Sequence, residues 1–294
     1  MLKLIMKKYL PKPLKSMIEK YQERRRRKRL VIDYLKETTD LILSYQSIEI
    51  QNNHSNPLNK FGKKSFSQSD EDGITIEILR RINSLSNGTF AEFGVGDGTE
   101  NNTLILKALG WKGFWVGGDD LVFETKQSDE NFSYLKVWVT NENIIEITRT
   151  GMSNIKTEQL DVISLDFDGN DYHFVKNLLT YGIKPKLFIV EYNAKFIPPI
   201  KWVIDYDPNH VWNVDDYFGA SLASFVEMFK EFGYTLVCCN AHTGCNAFFV
   251  KTDYFHLFPE VPNDISFIYS PPRYTVLKSY GHKPSLKTIA KFFK

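Results

Sequence analysis

Apolar positions along this chain follow two regimes. Up to about residue 48 they recur at three- and four-residue spacing: Leu14, Met17, Ile18 and Tyr21, then Leu30, Val31, Tyr34 and Leu35. That period predicts one or two amphipathic helices over residues 13–48. The stretch "SIEIQNNHSNPLNKFGKKSFSQSD" is polar throughout and reads as a linker or loop.

From residue 74 short apolar runs alternate with helical patterns. "GITIEILRRINSL" predicts a helix, "TFAEFGV" a buried strand and "ENNTLILKALG" a helix ending at Gly110. "GFWVGG" and "LKVWVT" are strands, "NENIIEI" opens a helix, and "LDVISLDF" is an apolar strand ending in acids. "YHFVKNLLTYG" and "KLFIVEY" add a helix and a strand, and Leu222, Phe225, Val226, Phe229 and Phe232 mark a further helix. "YTLVCCN" and "NAFFVK" are separated by too few residues for a crossover, so they pair antiparallel. The expected fold is an α/β sandwich around seven strands, mostly parallel, closed by a C-terminal antiparallel hairpin and preceded by N-terminal helices. The expected organisation is a basic helical arm over 1–50, a linker over 51–69, the α/β domain over 70–252 and an extension over 253–294.

Charge sharpens that division. The chain carries 37 Lys and Arg against 35 Asp and Glu. Residues 1–30 hold 12 of the basic residues and 2 acids, +10, so the remainder carries 25 basic and 33 acidic residues, −8. A basic arm on an acidic body implies a different partner for each. "YQERRRRKRL" and its amphipathic flanks suit an anionic membrane surface, with a solvated helix or an oligomer contact as the alternatives. The body has no basic stripe with interleaved aromatics, so no nucleic acid is expected as substrate. The tail "SPPRYTVLKSYGHKPSLKTIAKFFK" ends in another basic amphipathic stretch. No run is long enough to span a bilayer, and the N-terminal segment lacks a cleavable leader pattern. Three cysteines, Cys238, Cys239 and Cys245, do not make a disulfide framework. The expected location is cytoplasmic, with peripheral contact at the inner face of the membrane.

Chemistry concentrates at strand ends. "FAEFGVGDGTENNT" closes the first strand with Gly94, Gly96 and Gly98, flanked by Glu92, Asp97, Asn101 and Asn102. Ligands of doubly wound sheets bind beyond the carboxyl ends of the strands, so the turn sits in the right place. Its G-x-G-x-G spacing is not that of a dinucleotide site, and its acids disfavour a pyrophosphate. A ligand with both cationic and carboxylate groups suits it, and S-adenosylmethionine (SAM) is one; a tight turn that merely packs strand on helix is the plain alternative.

With these stretches in view, residues 66–252 resemble FkbM-type SAM-dependent methyltransferases, in a branch found among sugar and surface-polysaccharide genes. The resemblance rests on "SQSDEDGITIEIL", "AEFGVGDGTENNTLILKALGWKGFWVGGD", "VTNENI", "SLDFDGNDYHFVKNL", "VEYNAKFIPPIKW", "DYFGASL" and "GYTLVCCNAHTGCNAFFV". It implies a Rossmann-like methyltransferase sandwich and an O-methyltransferase acting on a sugar hydroxyl, in a surface polysaccharide or glycolipid. It further implies that Glu92, Gly94, Gly96, Asp97, Gly98, Asn101, Asn102, Asp119, Thr140 and Asp166 bind the cofactor. One departure is plain. Relatives read "WIEGD" where this chain reads "WVGGD", which puts Gly117 at the acid that holds the cofactor ribose, with Asp119 or Asp120 as substitutes. Loss of such a contact removes about 1.5–3 kcal/mol. Gly117 therefore favours a second reading: a non-catalytic protein of this fold that binds a glycan or a protein partner.

"SLDFDGNDYH" puts Asp166 and Asp168 on one face of a strand end, and "VEYNAK" brings Glu191, Asn193 and Lys195 to the next. Carboxylates converging on one cleft need compensation, and oxygen ligands favour Mg²⁺ or Ca²⁺ over zinc. The segment is similar to the magnesium-binding "DGD-x-Y" of macrolide-sugar O-methyltransferases, which gives Asp166, Asp168, Glu191 and Asn193 as candidate ligands; helix capping and substrate orientation are the alternative. Asp168 and His173 are the candidate catalytic groups. Asn170, Asp171, Lys195, Trp202, His210 and Tyr217 are the candidate substrate contacts, the last three from an aromatic-rich insert after the fifth strand. Cys238 and Cys239 are adjacent and face opposite ways on a strand, so "CCNAHTGC" reads as apolar filling rather than a zinc site.

Overall fold

A computed structural model describes residues 11–125, 130–273 and residue 293. The chain divides into two compact units, 1–46 and 47–294. Residues 1–10 of the basic arm and most of the basic tail lie outside the described residues.

The predicted N-terminal helices are one helix, α1 (Lys12–Asn53). No glycine follows its start, its one proline lies in the first turn, and Arg and Lys are strong helix formers, so the run of six basic residues at 24–29 does not interrupt it.

Residues 51–69, expected as a linker, instead pack within the second unit. Gln51 Nε2 donates to the carbonyls of Lys60 and Gly62 (3.0 and 3.1 Å). Asn56 caps a 3₁₀ turn, Pro57–Phe61, and its Nδ2 reaches the carbonyl of Val237 (2.8 Å). These groups satisfy one another away from water, which composition does not reveal. Helix α2 (Glu71–Arg81) then begins on three buried acids. Asp72 Oδ2 accepts the backbone N–H groups of Ser65, Phe66 and Ser67. Asp70 and Glu71 accept from Asn240 Nδ2 (3.1 and 3.0 Å).

The sheet comprises β1 (Thr89–Phe93), β2 (Lys112–Gly117), β3 (Phe132–Lys136), β4 (Val162–Leu165), β5 (Leu187–Glu191), β6 (Tyr234–Cys239) and β7 (Asn246–Lys251). Its spatial order is β3-β2-β1-β4-β5-β7-β6. β1 to β5 run parallel, and β7 is antiparallel to both β5 and β6. This is the expected Rossmann-like α/β sandwich, mostly parallel with a C-terminal antiparallel hairpin. Helices α3 (Leu104–Ala108), α4 (Ile144–Asn154), α5 (Asp171–Tyr181) and α6 (Leu222–Glu231) connect the strands, and a single turn, α7 (Ile265–Ile268), follows β7. Every residue of β4 is buried, as a strand covered on both faces requires.

Two boundaries differ from the expected ones. α3 is half the predicted length, since residues 100–103 form a turn held from β1. β3 starts and stops earlier than "LKVWVT" suggested, which leaves Val137, Trp138 and Val139 beyond the ladder. The order reverses between β1 and β4, so the crevice falls above those two strands.

The core is heavily aromatic. Trp115 meets Phe132 edge-on at 5.2 Å and Phe293 at 5.5 Å, and Phe293 is buried there. α4 lies close on β2 because Gly151 has no side chain: a Cβ there would stand 2.4 Å from the ring of Phe114. Gly151→Ala is therefore expected to lower stability by about 1–3 kcal/mol, read as a lower urea midpoint at unchanged m-value.

Candidate functional site

The chain leaves β1 through two left-handed glycines, Gly94 (φ +84°) and Gly96 (φ +51°). At Gly94 the backbone crosses the end of β4 so closely that a Cβ would sit 1.7 Å from the carbonyl oxygen of Asp166. A side chain is excluded twice there, by conformation and by space. Nothing lies within 4 Å of the corresponding point at Gly96, which faces open space.

That space is a cavity of about 320 Å³. Its floor is Gly94, Gly96, Gly117 and Gly118, one wall is Val137, Trp138 and Val139, and its far end holds Asp166, Asp168, Asn170 and His210. The cavity is mixed in character, with a half-exposed indole and two valines opposite two carboxylates.

Glu92 is not in it. Its Oε1 accepts from the N–H of Asn102 (2.8 Å), and its Oε2 accepts from the N–H and hydroxyl of Thr103 (2.9 and 2.5 Å). The carboxylate thus tethers the start of α3 to β1. Burial pushes its pKa up to about 7 despite those donors. Asn102 Nδ2 donates to Ser164 Oγ (3.2 Å), and Asn101 Nδ2 donates to the carbonyl of Val95 (3.3 Å). Asp97 is exposed and accepts from the backbone and hydroxyl of Thr99, and Gly98 packs against Leu121 and Phe123. Thr140 lies in the turn before α4, its N–H donating to Asn143 Oδ1 (2.8 Å). Of the ten residues expected at the cofactor, four line the cavity: Gly94, Gly96, Asp119 and Asp166. The others build the turn and helix start beside it.

Gly117 has a structural counterpart. A Cβ there would lie 3.0 Å from Val95 Cγ2 and 3.2 Å from the hydroxyl of Tyr134, which donates to the carbonyl of Asp119 (2.5 Å). Tyr134 and Val95 fill the space that an acidic side chain would need. Asp119 faces the cavity, whereas Asp120 pairs with Lys136 (2.7 Å).

At the far end, oxygens of Asp166, Asp168 and Glu191 come within 4.8 Å of one another. Asp168 takes a left-handed φ of +53°. Burial first, then repulsion among these carboxylates and Asp171, pushes Asp166 and Glu191 well above the usual carboxylate range. Glu191 Oε2 is buried and has no hydrogen-bond partner among the described residues. Such a cluster fits a hard divalent cation or a shared proton. Asn193 does not join it, because its Nδ2 donates to the carbonyls of Asp216 and Phe218 (2.9 and 3.0 Å) and its Oδ1 accepts from the N–H of Lys195. Asp171 closes the loop below, accepting from the N–H groups of Phe167 and Gly169 (2.9 and 3.1 Å).

The two histidines are placed differently from what sequence position suggested. His173 lies on α5 outside the cavity lining, and its Nε2 donates to the carbonyl of Ile204 (2.8 Å), which holds the insert. His210 comes from the insert itself and lines the cavity. Its Nε2 is buried without a partner among the described residues, and its ring occupies the place a side chain at Gly169 would take, 2.5 Å from that Cβ position. Asn170 Nδ2 donates to the carbonyl of Asp207 (2.7 Å), which fixes the loop that carries His210. Lys195 pairs with Asp216, and Trp202 stacks on Phe196 at 4.6 Å; the ring of Tyr217 is 5.9 Å from Trp202 and 6.3 Å from His210. These three build the insert around the cavity mouth without lining it.

Sequence reading missed Trp138. Its indole Nε1 donates to the carbonyl of Pro208 (2.8 Å), tying the wall to the insert. The signal was present, an aromatic at the carboxyl end of a strand, and reading the run as strand to its last residue concealed it.

Comparison with solved structures gives distant matches, all with TM-scores below 0.5. A precorrin-6y C5,15-methyltransferase from Geobacter metallireducens GS-15 matches 65% of this chain and 94% of its own, at 10% identity and TM-score 0.34. The MycE methyltransferase of the mycinamycin pathway, solved with Mg, SAH and mycinamycin VI, matches 60% of this chain and 45% of its own, at 14% identity and TM-score 0.31. The glycopeptide N-methyltransferase MtfA, complexed with sinefungin, matches 64% and 87%, at 10% identity and TM-score 0.30. These are likenesses of fold. No family model matches the chain, and no curated protein matches it.

The burial of Glu92 sets a pH dependence. Its pKa is raised in the folded state, so the folded chain holds the proton more tightly than the unfolded one. That contribution is full below about pH 4.5 and is lost as pH rises toward about 7. Unfolding free energy from urea titrations should fall by on the order of 2–3 kcal/mol across that window through this group. Glu92→Gln should flatten the slope.

Proposed function

We propose that this chain is a SAM-dependent O-methyltransferase acting on a sugar hydroxyl, of FkbM type, with an acceptor in a surface polysaccharide or glycolipid. The observation that carries it is a single cavity joining a bare glycine turn at one end to a buried, unpartnered imidazole nitrogen at the other. In this reading the backbone at Gly96 receives the cofactor carboxylate, the N–H groups of Gly94 and Val95 being given to the carbonyl of Val116, and Asp119 holds the ribose in place of the acid lost at Gly117. Trp138 and the two valines cover the adenine. Asp166 faces the ammonium.

Bound there, the cofactor supplies an electrophilic methyl group. His210 Nε2 accepts the proton of the acceptor hydroxyl; His173 lies outside the cavity lining. Asp168 and Asn170 orient the acceptor, and the aromatic insert surrounds its ring. The Asp166, Asp168 and Glu191 carboxylates are the residues that would hold Mg²⁺, which would neutralise the cluster and fix neighbouring acceptor hydroxyls.

Calorimetric titration with S-adenosylhomocysteine is expected to give a dissociation constant on the order of micromolar, weakened about tenfold by Asp119→Asn. No heat up to about millimolar with folded protein, with or without Mg²⁺, overturns the cofactor reading and favours a non-catalytic glycan or protein binder, which the glycine at 117 would suit. With an accepted sugar in hand, His210→Gln should lower kcat by about 100-fold or more while cofactor affinity stays within about threefold. His173→Gln should instead lower the melting temperature.

Mg²⁺ should raise the melting temperature more at about pH 8 than at pH 6, because the ligands must be deprotonated to bind it. An equal or absent shift at both would assign the cluster to a shared proton.

A further inference from the structure

Over Leu30–Ile48, helix α1 carries a stripe of large, exposed apolar side chains. At 3.6 residues per turn, Leu30, Tyr34, Leu41, Tyr45 and Ile48 fall within roughly 60° of one another. All five are more than half exposed. Val31 and Ile42, also exposed, widen the stripe. The rest of the surface is mixed: Asp33, Lys36, Asp40 and Ser47 share it with Ile32, Leu43 and Ile50, and Glu37 stands beside Leu30 and Ile48. At the end of α1 that belongs to the second unit, the buried side chains are Ser47 and Gln51, and Gln51 makes the hydrogen bonds to Lys60 and Gly62. Ile48, on the side of the stripe, is left to solvent.

Immediately before this stripe stand six consecutive basic residues, Arg24 to Arg29. We propose that α1 is an interfacial helix that lies on an anionic membrane surface, with the Leu30–Ile48 stripe in the acyl boundary and the Arg24–Arg29 collar among lipid phosphates. Charge selects the occupant. A second copy would cover the stripe but bring no counter-charge to the collar, whether paired parallel, with the two collars side by side, or antiparallel, with one at each end; a nucleic acid would neutralise the collar but leave the aliphatic stripe in water. A bilayer rich in anionic headgroups meets both at once. Two tyrosines on the stripe suit the boundary, where an aromatic ring is buried and its hydroxyl stays wet. Among the described residues no helix is long and apolar enough to cross a membrane, so α1 would lie along the surface. The 42-residue helix would give a footprint of roughly 60 Å. The inference is independent of the chemistry in the cavity.

The test is sedimentation of the full chain with phosphatidylcholine vesicles, with and without about 30% phosphatidylglycerol. Binding is expected only to the anionic vesicles, and it should weaken steeply between about 0.05 and 0.5 M salt. Arg24→Glu/Arg26→Glu/Arg29→Glu and, separately, Leu41→Ser/Tyr45→Ser should each reduce the bound fraction by about tenfold or more. The melting temperature of the second unit should not change. A full chain that stays in the supernatant at low salt overturns the proposal, as does stripe-variant binding equal to that of the parent. So does a dimer in light scattering that the stripe variant turns monomeric without any vesicle binding by the parent, which would make the second copy the occupant. Competition by a short RNA that removes the protein from vesicles while the stripe variant still binds the RNA equally would likewise overturn it.

Discussion

The contact on which this architecture turns is the passage of the backbone at Gly94 over the carbonyl of Asp166. Two parallel strands whose connections diverge leave a crevice between their ends, and here that crevice is narrowed until a single Cβ would not fit. Because the turn is pressed against β4, the next glycine, Gly96, opens into free space, and the first residue beyond β4 is held at the edge of that space. The cavity floor, its acidic end and the route of the chain toward α3 all follow from this crossing.

Holding the turn that low creates an electrostatic problem. The carboxyl edge of the sheet collects acids from successive strands, Glu92, Asp166 and Glu191, and from the start of α2. The chain resolves each by a different means. Glu92 is used up by the N–H groups that open α3, Asp72 by three consecutive backbone amides, and Asp70 and Glu71 by Asn240. Among the described residues Asp166 and Glu191 receive no such backbone or amide donors and face each other instead, and with Asp168 they remain the carboxylates whose charge is left for a proton or a cation to answer. Burial is common to all of them; the supply of donors separates structural acids from those available for chemistry.

The insert after β5 completes the site by crossing it. Trp138 and Asn170 each hold it by a hydrogen bond to backbone, at Pro208 and Asp207, and His173 holds it at Ile204. His210 follows directly after these anchors and lines the cavity. A histidine forty residues from the acidic strand end thus arrives beside it, while the histidine that is near in sequence is spent on holding the loop.

Alternating periods, the glycine turn and the hairpin without a crossover determined the seven-stranded order of elements, because hydrophobic periodicity and connection length are local properties. The same local reading marked Asp166, Asp168, Glu191 and His210 as chemical groups, since strand ends and irregular inserts are where such groups are displayed. What it could not assign was partnership. Glu92 looked like a ligand contact and is a tether, Asn193 looked like a metal ligand and is a loop clamp, and residues 51–69 looked solvated and are packed. In each case the outcome depends on which distant N–H or carbonyl comes within hydrogen-bond reach, and only the folded chain fixes those distances.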